Sequence, residues 1–87
     1  MTIFKIDIIT PQGLLYQGQG NQVNVPTPEG RMEILDRHIP IVSLLEKGTI
    51  EIHDLNNKIC LFHAERGYIS MLDNKCTISG HILPMRN

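Results

Sequence analysis

The feature that most constrains this chain is the spacing of its turn signals. Pro11-Gln12-Gly13, Pro26 to Gly30, Lys47-Gly48, Asn56-Asn57, Arg66-Gly67 and Asp73-Asn74 fall roughly every eight to eighteen residues along an 87-residue sequence. Intervals that short leave room for strands and little else, which reads as an antiparallel all-β domain. The intervals are filled with β formers. Residues 2–9 put Phe4, Ile6 and Ile8 on one face and Ile3, Lys5, Asp7 and Ile9 on the other, a period of two with an apolar inner side. Residues 14–25 read as a longer extended piece in which Gly18 and Gly20 signal a bulge or a change of sheet. Residues 31–35 form a short strand, and residues 49–54 and 58–64 form a hairpin around Asn56-Asn57, whose side chains tolerate positive φ. Residues 68–72 and 75–79 form a second hairpin around Asp73-Asn74. Ile39 to Glu46 has some helical spacing, but it is short, and Pro40 fits a helix only in its first turn.

These pieces predict one domain over residues 1–87: a small antiparallel β-sandwich or flattened barrel of about eight to ten short strands. Composition agrees with a globule, since 41% of residues are hydrophobic. The formal charge is −1 and no run of one sign exceeds two residues, so the concentrated basic field that nucleic acid requires is missing. The longest apolar run, Ile39 to Leu45, is interrupted by Pro40 and Ser43, far short of the roughly 20 residues of a bilayer helix. Cys60 and Cys76 are too few for a disulfide scaffold and lie in β-patterned stretches, as buried free thiols do.

The sharpest chemical alternative is a metal centre. Cys60-x-x-His63 and Cys76-x4-His81 offer two sulfurs and two imidazoles, a sufficient set for tetrahedral zinc. On strands, however, each pair is an odd number of residues apart and points to opposite faces. Nucleophiles are present in Ser43, Ser70 and Ser79, but no Gly-x-Ser-x-Gly holds one. Gly18-Gln19-Gly20 lacks the later glycine and the helix of a phosphate cradle. No catalytic residue, cofactor or metal is therefore assigned. The segment 26–45 is different. It combines three prolines, the alternating charges Glu29, Arg31, Glu33, Asp36 and Arg37, and an apolar end. It reads either as a long loop rounding the end of a sandwich or as a docking surface carried by a rigid scaffold.

That segment closely resembles the pattern of ATP synthase epsilon subunits. The matching residues are Val25, Glu29-Gly30, Ile34, His38-Ile39-Pro40, Leu44-Leu45 and Lys47-Gly48. Ile6-x-Ile8-Ile9-Thr10-Pro11 with Gly13, Tyr16-x-Gly18, Gly48-x-Ile50-x-Ile52, Phe62-x-Ala64-x-x-Gly67-Tyr68-Ile69-x-Met71 and Thr77-Ile78 follow in register, so the likeness spans about residues 3–80. Arg31, Glu33, Asp36-Arg37 and Arg66 depart from the pattern. The resemblance implies a non-catalytic rotor part at the foot of the central stalk, peripheral to the cytoplasmic face of the membrane. Its partners would be the gamma subunit and the polar loops of the c ring, coupled during proton-driven ATP synthesis. It implies that Glu29, Gly30, Arg31 and Met32 meet the c ring, with a carboxylate there to match Arg31, and that Thr10, His38 and Ser43 lie toward gamma. Met32 and Ile39 to Val42 are the expected apolar anchors. Typical relatives continue into a pair of helices that brake ATP hydrolysis; with the sequence ending at Asn87, the expectation is a sandwich without them. A free-standing sandwich adaptor and a zinc-binding module stay open as alternatives.

Overall fold

A computed structural model describes residues 3–37 and 39–85. Among these, seven strands form: β1 (Phe4–Thr10), β2 (Gly13–Thr27), β3 (Gly30–Leu35), β4 (Ile41–Leu45), β5 (Gly48–Asp54), β6 (Ile59–Leu72) and β7 (Lys75–Pro84). Their ladders close into a ring, β1–β7–β6–β5–β2 and back to β1, with β3 added on β2 and β4 on β6. The ring flattens into two layers because two long strands serve both. β2 pairs with β1 as far as Gly20, then with β3 and β5 beyond a register shift between Gly20 and Gln22. β6 pairs with β5 from Ile59 to Ala64 and with β4 from Gly67 to Met71, with a shift against β7 between Ala64 and Arg66. One layer is thus β4, the end of β6, β7, β1 and the start of β2. The other is β3, the end of β2, β5 and the start of β6.

Gly20 permits the first crossing, since a Cβ there would run into the carbonyl oxygen of His53. The expected inner face of β1 is the inner face found: Phe4, Ile6 and Ile8 are buried. They meet Val23, Val25, Ile34, Ile50, Ile52, Phe62, Ile69, Met71 and Ile78 in one core between the layers. The Tyr16 ring stands edge-on to Phe62, with centroids 5.6 Å apart, and seals the core at the start of β2.

Two sequence expectations are corrected in detail. The strands number seven rather than eight to ten, because residues 58–64 and 68–72 belong to one continuous strand, β6. The sheet is not wholly antiparallel, since β1 and β7 run parallel from Lys5↔Lys75 to Ile9↔Ser79. The stretch Ile39 to Glu46, too short for a convincing helix, holds strand β4, whose pairing with β6 satisfies its backbone, in keeping with the all-β expectation. The hairpin turns fall where expected, with positive φ at Asn57, Asp73 and Asn74.

Candidate partner-binding surface

Register decides what the outside of the β4–β6–β7–β1–β2 layer presents. Leu44 pairs with Tyr68, Tyr68 with Ser79, Ser79 with Ile9, and Ile9 with Leu14. Paired residues share a face, so these five side chains form one row running across five strands, about 20 Å long at the usual strand spacing. The row faces solvent: Leu44 is 53%, Tyr68 57%, Ile9 42% and Leu14 57% exposed. Next to it runs a second row, Val42, Ser70, Thr77, Asp7 and Gln17, built from the neighbouring pairs. Val42 is exposed at its end, whereas Asp7 is nearly buried and held by Lys75 Nζ at 3.2 Å. An apolar row of this length on a stiff sheet is what an interaction surface looks like.

The outside of the other layer is mixed: polar groups joined to one another stand beside the exposed Leu35, Ile59 and Leu83, their cross-strand partners. Gln22 Nε2 donates to Glu33 at 2.7 Å and to Asn24 at 3.3 Å, Asn24 Nδ2 donates to Glu51 at 3.2 Å, and His53 Nε2 lies 3.2 Å from Glu51. The hydrogen bonds from His53 and then Asn24 hold the Glu51 carboxyl below its ordinary pKa. His63 does the same for Glu65 on the same face. The polar groups at its centre satisfy one another, and the exposed leucines and isoleucine lie toward its edges.

The sequence-expected contact residues are distributed over separate places. Glu29 and Gly30 form the tip between β2 and β3. Gly30 takes a φ of +114°, and Thr27 Oγ1 closes the turn by donating to the Gly30 carbonyl at 2.6 Å and accepting from Glu29 N at 3.2 Å. Arg31 reaches across to donate to the Thr49 carbonyl at 2.9 Å. Met32 is half-buried against the core. Thr10 sits at the end of β1, beside Ile9 of the exposed row, and its hydroxyl closes the next turn through Gly13 O and Gln12 N. Ser43 pairs with core residue Ile69, so it points to the opposite side of β4 from Val42 and Leu44. His38 lies outside the described residues. Ile39 and Val42 are exposed, while Ile41 leans on the core. Sequence reasoning missed Leu14 and Tyr68 as surface residues and placed Leu44 only within the segment 26–45; the cross-strand register brings the three together.

The metal alternative meets strands where it needs turns. Cys60 shares the face of Phe62, and His63 points the other way; Cys76 is in the core, and His81 is outside. Among the described residues no three His, Cys, Asp or Glu side chains gather to hold an ion. Burial, with a smaller push from Asp7, raises the Cys76 thiol to about 12, so it stays protonated. Tyr16 is raised by burial and then by Cys60 and Asp54. One depression of about 500 Å³ lies over Ile3, Phe4, Lys5, Leu72, Asp73 and Asn74 and presents amide, ammonium and carboxylate groups.

Comparison with known proteins fits this architecture. The family described as ATP synthase, Delta/Epsilon chain, beta-sandwich domain matches residues 3–81. The ATP synthase epsilon chain of a Nitratiruptor species is 34% identical over 77 residues, covering 88% of this chain and 60% of that one. That of a Sulfurovum species is 30% identical over 84 residues, covering 94% and 66%. The chain thus spans about two thirds or less of the length of these curated relatives. Among solved structures, a chain of the Euglena gracilis mitochondrial ATP synthase superposes with a TM-score of 0.84 at 21% identity, covering 91% of this chain and 51% of that chain. One from the Tetrahymena thermophila mitochondrial ATP synthase central stalk and c-ring gives 0.75 at 18% identity, covering 92% and 65%. These two are likenesses of fold.

Proposed function

Because the chain belongs to the ATP synthase delta/epsilon chain family, as its beta-sandwich domain, we propose that it is a rotor coupling part that binds the gamma subunit and rests on the polar loops of the c ring. In this reading it catalyses nothing itself. Proton flow turns the ring, and the chain helps to carry that rotation into the stalk during ATP synthesis. Its place is peripheral, at the cytoplasmic face of the membrane, reached through the complex.

The observation that carries the reading is the exposed apolar row Leu44–Tyr68–Ser79–Ile9–Leu14. A torque-bearing part must hold its partner without slipping. A row drawn from four strands of a closed ring and from β4 laddered onto one of them is stiff, because each strand is fixed by its neighbours. Rigid apolar contact also costs little ordering entropy on binding. Gamma takes this face, with Thr10 at its rim. Ser43, on β4, and His38, which lies outside the described residues, are assigned to the same partner on the family resemblance. The turn tip Glu29-Gly30, with Arg31 and Met32, meets the c ring. The guanidinium of Arg31, steadied by the Thr49 carbonyl, is matched there by a carboxylate.

The test is binding of the purified chain to gamma and, separately, to the c ring, by calorimetry and co-sedimentation. Binding to both is expected. No binding to either, with the β circular dichroism spectrum intact, overturns the reading and leaves a sandwich adaptor for another partner.

A further inference from the structure

We propose that Arg66 and His81 form a carboxylate-reading pair beside the apolar row and determine which gamma subunit this chain accepts, an inference that rests on the rotor reading above. The two residues are cross-strand partners on β6 and β7. Each is two positions from a member of the row, Tyr68 and Ser79, and so shares its side of the sheet. Together with Leu44, Leu45 and Tyr68 they line one depression of about 310 Å³.

Arg66 Nη2 lies 3.3 Å from His81 Nε2. A guanidinium only donates, so His81 Nε2 accepts and the ring carries its proton on Nδ1. The imidazole therefore holds one corner of the guanidinium, and the other donors are left for a partner. Glu65, the adjacent carboxylate in sequence, is held mainly by others: His63 Nε2 is 2.7 Å from it and Lys47 Nζ 3.8 Å, and Arg66 acts on it only as a weaker, more distant charge. Among the described residues Arg66 makes no ion pair within 4.0 Å.

Covering Leu44 and Tyr68 with a partner removes water from beside this cation. A partner that offers a carboxylate there gains a forked, charge-assisted bond. One that offers a lysine or an apolar surface leaves a positive charge stranded, which is costly and acts as rejection. The apolar row supplies contact; the cationic pair supplies choice.

The experiment measures the Kd of the gamma complex by calorimetry for the unsubstituted chain and for Arg66→Glu, Arg66→Ala and Arg66→Lys, with thermal melts of each. Arg66→Glu is expected to weaken binding by tenfold or more and Arg66→Ala by less, with Arg66→Lys between Arg66→Ala and the unsubstituted chain and the melts unchanged. Replacing one acidic residue of gamma by arginine restores affinity to Arg66→Glu. Tight binding by the unsubstituted chain with equal binding by Arg66→Glu overturns the pair alone. No binding by the unsubstituted chain overturns the rotor reading, and this inference with it.

Discussion

Gly67 and Gly80 face one another across the β6–β7 ladder, so close that neither can carry a side chain. A Cβ on Gly80 would lie 2.5 Å from Gly67 Cα and would also run into the Arg66 carbonyl; one on Gly67 would run into the Ser79 carbonyl. Gly80 takes a φ of +143° besides. The contact sits where β6 leaves β5 for β4, beside the shift between Ala64 and Arg66, so the crossing between layers depends on it. Gly80→Ala is expected to cost on the order of 3 kcal/mol, from clash and backbone strain together. Urea unfolding checks this; a loss under about 1 kcal/mol shows that the ladder opens at little cost.

Cys76 predicts an alkaline weakness. Its thiol is raised from 9.0 to about 12, chiefly by burial. The folded state therefore keeps a proton that the unfolded chain releases. Stability from this group is full below the unfolded value and falls as pH rises between 9.0 and about 12. Cys76→Ala is expected to lower stability at pH 7 through the lost packing, and to flatten the decline above pH 9 relative to the unsubstituted chain. Unfolding curves at several alkaline pH values measure the difference, which cancels the contribution of the lysines. An unchanged slope sinks the prediction.

What the sequence made legible was local. Phe4, Ile6 and Ile8 declared their face through a period of two, and Asn57 and Asp73-Asn74 declared their turns through residues that accept positive φ. Gly67 was misleading because it looked like punctuation. It is an in-strand close approach, and that reason depends on β7, which no reading of β6 alone contains. For β4, Ile41, Leu44 and Leu45 stand at helix spacing, whereas Ile41 and Leu45 alone fit one face of a strand, and only the pairing with β6 decides. The candidate surface was the least legible part. Leu14 and Leu44 are thirty residues apart in sequence and share a row solely through four successive registers.

Asn74 predicts a clasp on the segment before β4. Its Oδ1 accepts from Arg37 N at 2.8 Å, and its Nδ2 donates to Asp36 Oδ1 at 2.8 Å and to the Ile3 carbonyl at 3.2 Å. The β6–β7 turn thereby fixes both the start of β1 and residues 36–37. Arg37 is held at φ 60°, a conformation that glycine adopts more cheaply. Asn74→Ala is expected to cost about 1–2 kcal/mol and to speed amide exchange at Arg37. Arg37→Gly is expected to have the opposite sign or to be neutral. Exchange at Arg37 that is unaltered by Asn74→Ala refutes the clasp.

The last prediction separates surface from core on adjacent residues of one strand. Leu45 is 6% exposed and belongs to the core, whereas Leu44, its neighbour, is 53% exposed and pairs with Tyr68 at 57%. Leu45→Ala removes packed volume and is expected to cost about 2–4 kcal/mol of stability. Leu44→Ser and Tyr68→Ser remove little that is packed, so each is expected to shift stability by no more than about 0.5 kcal/mol. If the row is where gamma docks, the same two changes weaken that complex strongly, because large anchors at the centre of an interface carry most of its energy. Thermal melts and gamma-binding calorimetry on the three variants give a crossed pattern: stability lost in one, affinity lost in the other two. Should Leu44→Ser and Tyr68→Ser bind gamma as the unsubstituted chain does, the row is not the gamma surface, and the exposed leucines need another occupant.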